Sequence, residues 1–242
     1  MPKTFDILKK RWPEVAVILA VGLLRWLGPI VVSVIRNSTL QKSYWLIMLA
    51  VLALMLILQA GFLRTAYLYG GKGQRISTLL QTGIHFFWQL FIFACLYGIV
   101  RLAPKLILVR FISPSKLWIV GLFNIALAVV LIKPLLLVPA MIIVRKMRAF
   151  EGLKGFMKYH IFEAKGLLIL FVVAQLFRAL NLFVRPSLET PRIVNYFIDV
   201  TTSIIMTLLG LAISLSAVLF VGSKTAPATE PTESPENNLT TD

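Results

Sequence analysis

The sequence predicts an all-α polytopic membrane bundle of about six transmembrane helices, in three hairpins with interfacial amphipathic segments. Three observations predict it. Of 242 residues, 58% are hydrophobic and 14% charged, whereas soluble domains average about 45–50% and about 25%. A single soluble core of this size cannot hide that much apolar surface, but lipid can. The apolar residues also fall into six runs, each near or above the ~17–25 residues that a membrane span needs. These runs do not alternate apolar with polar residues, as the strands of a membrane barrel would.

The elements follow in order. Thr4–Trp12 is amphipathic, with Phe5, Leu8 and Trp12 at helical spacing. The first run, Val15–Ile35, is interrupted by Arg25. It is too long for a cleaved signal peptide and has no small-residue cleavage site after it. The second, Tyr44–Leu63, is uncharged. A second amphipathic stretch, Arg75–Phe86, carries Ile76, Leu79, Leu80 and Ile84 and leads into the third run, Ile84–Val100. The fourth, Leu117–Val144, is interrupted by Lys133. At ~1.5 Å per residue it would cover ~42 Å against a core of ~30 Å, so it tilts or breaks at Pro134 or Pro139. A third amphipathic stretch, Ala149–Lys165, places Phe150, Leu153, Met157 and Ile161 on one face. Gly166–Val184 is the fifth run, interrupted by Arg178, and Val200–Val221 is the sixth, with Asp199 just before it. Trp12, Tyr44, Trp45 and Trp118 stand where interfacial aromatic belts belong. Residues 1–222 make one membrane domain. Residues 223–242, rich in Pro, Thr, Glu and Asn, make a polar tail of disordered composition.

The chain has 25 Lys+Arg against 10 Asp+Glu, and four of those acids (Glu230, Glu233, Glu236 and Asp242) lie in the tail. In a soluble protein such a balance suggests nucleic acid. Between membrane spans, basic loops set topology and meet anionic headgroups, so lipid is the expected partner and nucleic acid is not. With six spans, the side holding both termini collects Lys3, Lys9, Lys10, Arg11, Arg64, Lys72, Arg75, Arg145, Lys146, Arg148, Lys154, Lys158, Lys165 and Lys224. The other side collects Arg36, Lys42, Arg101, Lys105, Arg110, Lys116, Arg185 and Arg192. The excess places both termini in the cytoplasm.

Three cations inside apolar runs are the candidate anion-binding residues: Arg25, Lys133 and Arg178. A cation at the bilayer centre costs about 2.5–3.5 kcal/mol on insertion scales. Two readings stand for them: a cationic cavity for a group such as a lipid phosphate, or snorkelling to the interface. Lys133 precedes Pro134, where carbonyls freed by a break can host an ammonium. No carboxylate lies at mid-span, which disfavours ion-coupled transport. HExxH, GxSxG, the Walker lysine motif and GxGxxG are all missing from the sequence. The reading is therefore non-enzymatic, with no cofactor and no metal. Cys95, the one cysteine, packs as a small hydrophobe, and His85 and His160 stand far apart. Gln59, Gln89, Asn124, Gln175 and Asn181 are expected to bond across helices, and Gly61, Gly210, Ala212, Ser214 and Ser216 to allow close packing.

Within Leu135–Leu170, the residues Pro139, Ile142, Ile143, Val144, Glu151, Leu153 and Lys154 form a pattern. A helix ends in proline and branched apolar residues, and a short amphipathic helix and a further span follow. This resembles the hallmark of a broad group of six-span prokaryotic membrane proteins. The group includes the membrane domain of some glycerophosphodiester phosphodiesterases and several families of unknown function. In this chain Arg145-Lys146 stands where the group has an acidic residue, and Gly155-Phe156 where it has serine. The resemblance implies a six-span fold in a prokaryotic plasma membrane and no particular activity. The expected function is a scaffold or accessory role with a protein partner, or the handling of anionic lipid through the basic face. The alternative is a permease-like carrier of an anionic or amphiphilic solute that uses Arg25 and Lys133.

Overall fold

The computed structural model describes residues 2–34, 38–111, 123, 127, 130–160, 163–184 and 192–224. Of these, 25–34, 38–45, 101, 105–111, 178–184, 192–197 and 199 are described as backbone only. The polar tail beyond 224 lies outside the described residues. The described elements are helices: α1 (Pro2–Lys10), α2 (Trp12–Val34), α3 (Ser38–Tyr69), α4 (Ile76–Phe111), α5 (Ile132–Arg145), α6 (Ala149–Gly155), α7 (Lys165–Val184) and α8 (Arg192–Ser223), with a 3-10 turn at Phe156–Lys158. Three of them contain stretches long and apolar enough to cross a membrane: Leu46–Tyr69, Ile76–Pro104 and Val200–Ser223. Leu46, Leu49, Trp88, Ile99 and Leu176 stand exposed on the outside. That apolar exterior suits lipid rather than water and marks an integral membrane protein.

α1 and α2 meet at Arg11. Pro13 has no N–H to continue the ladder of α1, so the chain turns before it. The turn is closed by the Arg11 N–H on the Ile7 carbonyl at 3.0 Å and the Glu14 N–H on the Arg11 carbonyl at 3.1 Å. The inner face of this corner is Thr4, Ile7 and Arg11, all buried. The expected apolar stripe is rotated outward: Phe5 is 50% and Trp12 52% exposed, and Leu8 is partly buried. Thr4 Oγ1 and Ser216 Oγ, 3.1 Å apart, tie α1 to α8. Phe5 and Trp12 thus face outward beside Lys9 and Lys10, while Thr4, Ile7 and Arg11 face the bundle.

α3 and α4 pack along each other with their backbones nearly touching. A Cβ on Gly61 would overlap the Leu79 carbonyl, and one on Gly83 would overlap the Ile57 carbonyl. Gly61 serves close packing as expected, and Gly83 is its partner across the seam. Gly210 does not: nothing lies within 4 Å of its Cβ position. The stretch Arg75–Phe86 is not a separate interfacial helix. It forms the first turns of α4, where Leu79 is buried while Ile76 and Ile84 are about half exposed.

Of the long fourth run, most residues before Val130 lie outside the described residues; around Leu131 the helical bonds continue, its N–H on the Leu127 carbonyl at 2.9 Å and its carbonyl accepting the Leu135 N–H at 3.1 Å. Pro134 sits in the first turn of α5, where its missing N–H breaks no helical bond, and Pro139 is carried inside the helix. α5 is buried from Leu136 to Val144 among α3, α4, α6 and α8. α6 packs back against it through glycine: the Cβ position of Gly152 meets Val138 Cγ1 at 3.1 Å, and that of Gly155 meets the flexible end of Met141. Glu151 caps α6 by accepting the Arg148 N–H at 3.0 Å.

Candidate anion site at the basic end

The α1–α2 corner, the end of α3, the start of α4, the α5–α6 corner and the end of α8 are joined to one another by side-chain bonds. Basic residues crowd this end. The carboxylates described there are Asp6, Glu14, Glu151 and Glu163, and each is engaged. Asp6 pairs with Lys10 at 3.0 Å, Glu14 with Arg11, and Glu163 with Lys224 at 2.6 Å. Glu151 caps α6. Lys224 holds the Glu163 carboxyl below the usual carboxylate range, first by its hydrogen bond and then by its charge.

Arg11 is fully buried. Its Nη2 donates to Glu14 Oε2 and to Thr65 Oγ1 at 2.8 Å. Its guanidinium stands 4.7 Å from the centre of the Phe62 ring. The Thr65 hydroxyl passes the bond on to the Gly61 carbonyl at 2.8 Å, and Glu14 Oε1 accepts the Gln74 N–H at 2.6 Å. This cation is consumed by the fold. It binds the α1–α2 corner to α3 and to the turn between α3 and α4.

Arg64 is used differently. It lies in the last turns of α3, and its Nη1 donates to the carbonyls of Ile143 and Val144, both at 2.9 Å. Those carbonyls belong to the last turn of α5, which has no intrahelical donors for them. Among the described residues the rest of the guanidinium has no hydrogen-bond partner. It stands 5.7 Å from the Tyr67 ring centre and 5.9 Å from that of Phe86. On the other side of the corner, Gln89 Oε1 accepts the Ala149 N–H at 2.9 Å, an orphan donor at the start of α6. Two side chains from membrane helices thus fix the α5–α6 corner. Lys146 forms the corner itself, at φ 55° and ψ 32°, a left-handed conformation usually left to glycine.

A cavity of about 600 Å³ opens between this corner and α4. Arg64, Lys146 and His85 line it with Gln81, Thr82 and Gln89, and Leu68, Phe86 and Met147 supply apolar wall. Among the described residues no carboxylate lines it. Its size and mixed wall fit an anionic group attached to something apolar.

Of the three cations expected to hold an anionic group, Lys133 is the one whose side chain is described. Its Nζ donates to the Met157 carbonyl at 3.1 Å and lies 5.7 Å from the Phe156 ring centre. A carbonyl does host this ammonium, but it comes from the 3-10 turn rather than from the helix ahead of Pro134. The Arg25 and Arg178 side chains lie outside the described residues. Arg64 and Lys146 were legible only as loop charges that set orientation. The signal that could have singled out Arg64 is its place at the end of an otherwise uncharged run. Among the described residues no group of three or more His, Cys, Asp or Glu is arranged to hold a metal. No family model, curated protein or solved structure matches this chain.

Proposed function

We propose that this protein is a six-span protein of a prokaryotic plasma membrane with both termini in the cytoplasm. At its basic cytoplasmic end it binds the headgroup of an anionic phospholipid without acting on it chemically. The observation that supports the reading best is the Arg64–Lys146–His85 cavity, on an end where every described carboxylate is engaged elsewhere. A phosphate there meets a guanidinium already oriented by two carbonyls and an ammonium on a fixed corner. Charge-assisted bonds to such donors are the stronger kind. The neighbouring apolar surface of Leu68 and Trp88 is exposed and available to the acyl chains. Lys133 is not among the residues that line this cavity, so the carrier reading rests on a cation placed elsewhere.

The test is extraction into native lipid discs followed by mass spectrometry of the retained lipid. Wild type is expected to retain anionic phospholipid above its share in the membrane, and Lys146→Ala with His85→Ala to lose that enrichment while staying folded. Equal retention by the variant, or a stoichiometric protein partner with only bulk lipid, would overturn the reading in favour of a scaffold.

A further inference from the structure

A second basic cavity, of about 280 Å³, lies among the end of α5, residues 158–160, Glu163 and the end of α8. Arg145 and Lys146 are adjacent, yet Arg145 lines this cavity and Lys146 the first. The left-handed residue at 146 therefore serves two cavities from one corner. Lys158, His160 and Lys224 complete the basic lining of the second. The one carboxylate among its described lining residues, Glu163, is held by Lys224 at 2.6 Å, and both partners are about half exposed. The Glu163 N–H also bonds the His160 carbonyl at 3.1 Å, which holds the backbone there in a turn. Tyr159 is 8% exposed, with the Arg145 guanidinium 5.5 Å from its ring centre and the Phe220 ring set edge-on at 6.4 Å. Among the described residues its hydroxyl has no hydrogen-bond partner. A buried hydroxyl left unbonded is a group that folding alone does not explain.

We infer that this cavity is a second anion site, for a terminal phosphate monoester, and that Glu163 is its built-in competitor. The Glu163 carboxylate already occupies one of the cations. A phosphate monoester carries about −1.5 to −2 charge at neutral pH and three acceptor oxygens. It therefore outbids a single carboxylate for Lys224 while also meeting Arg145 and Lys158. Two cations remain for it even with the ion pair closed, so the pair tunes affinity rather than shutting the site. The inference goes beyond the headgroup reading, because it uses different residues and a different cavity.

The test uses the full chain in discs of zwitterionic lipid. Inorganic phosphate and glycerol phosphate are titrated in one arm. In the other, phosphatidic acid is added to the discs. Glu163→Gln removes the competitor and is expected to tighten phosphate binding several-fold; Lys158→Ala is expected to weaken it by a similar factor. A gain confined to the soluble probes identifies a water-soluble phosphate ester as the ligand; a gain confined to phosphatidic acid identifies a lipid. Lys146→Ala separates the two sites: it should leave the Glu163→Gln gain intact even if the first cavity proves empty. If Glu163→Gln changes neither arm in a folded protein, or if neither probe binds, the second site does not exist.

Discussion

Arg11 and Arg64 lie at the same end of the bundle, both against α3, and they have opposite fates. Arg11 is fully buried with a carboxylate, a hydroxyl and an aromatic ring around it. Arg64 faces an open cavity, and its partners are two backbone carbonyls. A carbonyl orients a guanidinium without neutralising it, whereas Glu14 neutralises Arg11. The difference teaches that basic charge alone does not mark a binding site. What marks it is a cation held in place with its charge still uncompensated.

The comparison breaks most visibly at Arg11. Arg11→Met leaves Glu14 buried without its counter-charge, which typically costs about 3–5 kcal/mol. Thermal unfolding in discs should show that loss, and Arg11→Met with Glu14→Gln should recover much of it. Retained lipid per folded protein should be unchanged in the double variant. Arg64→Gln should cost less in stability, about 1.5–3 kcal/mol, since it removes charge-assisted bonds to carbonyls. Unlike the Arg11 change it should also reduce anionic-lipid retention.

Lys146→Gly sharpens the contrast further. The left-handed conformation costs a lysine roughly 1–2 kcal/mol that glycine is spared. The variant should therefore unfold later and bind anionic lipid less well, so that stability and binding move in opposite directions. The smallest effect belongs to the exposed Lys10–Asp6 pair. Lys10→Gln should shift stability by less than ~0.5 kcal/mol. The Lys224–Glu163 pair has a definite pH direction. Because the folded carboxyl is held below its ordinary value, its contribution is complete above about pH 4.3 and is lost as pH falls through the lower folded value.

The membrane class, the three clear spanning stretches and the close approach at Gly61 were legible because composition and glycine act locally. The facing of α1 was not legible. A stripe of Phe5, Leu8 and Trp12 reads the same whether it meets protein or lipid, and the Thr4–Ser216 bond spans most of the chain. The cavity was not legible for the same reason. Arg64 and His85 come from two separate helices and Lys146 from the α5–α6 corner, and their roles depend on which carbonyls and carboxylates the fold brings beside them. Arg11 and Arg64 are interchangeable in a count of charges.

Photo-crosslinking tests the central claim most directly. An anionic phospholipid bearing a photoreactive group next to its phosphate would be reconstituted with the protein, and the labelled peptides mapped. The account predicts labelling concentrated at residues 81–89 and 146–147, competed by unlabelled anionic lipid and not by zwitterionic lipid. Label spread evenly over the outer apolar surface, including Leu46–Leu52 and Ile99–Leu102, with no competition by headgroup charge, would contradict it.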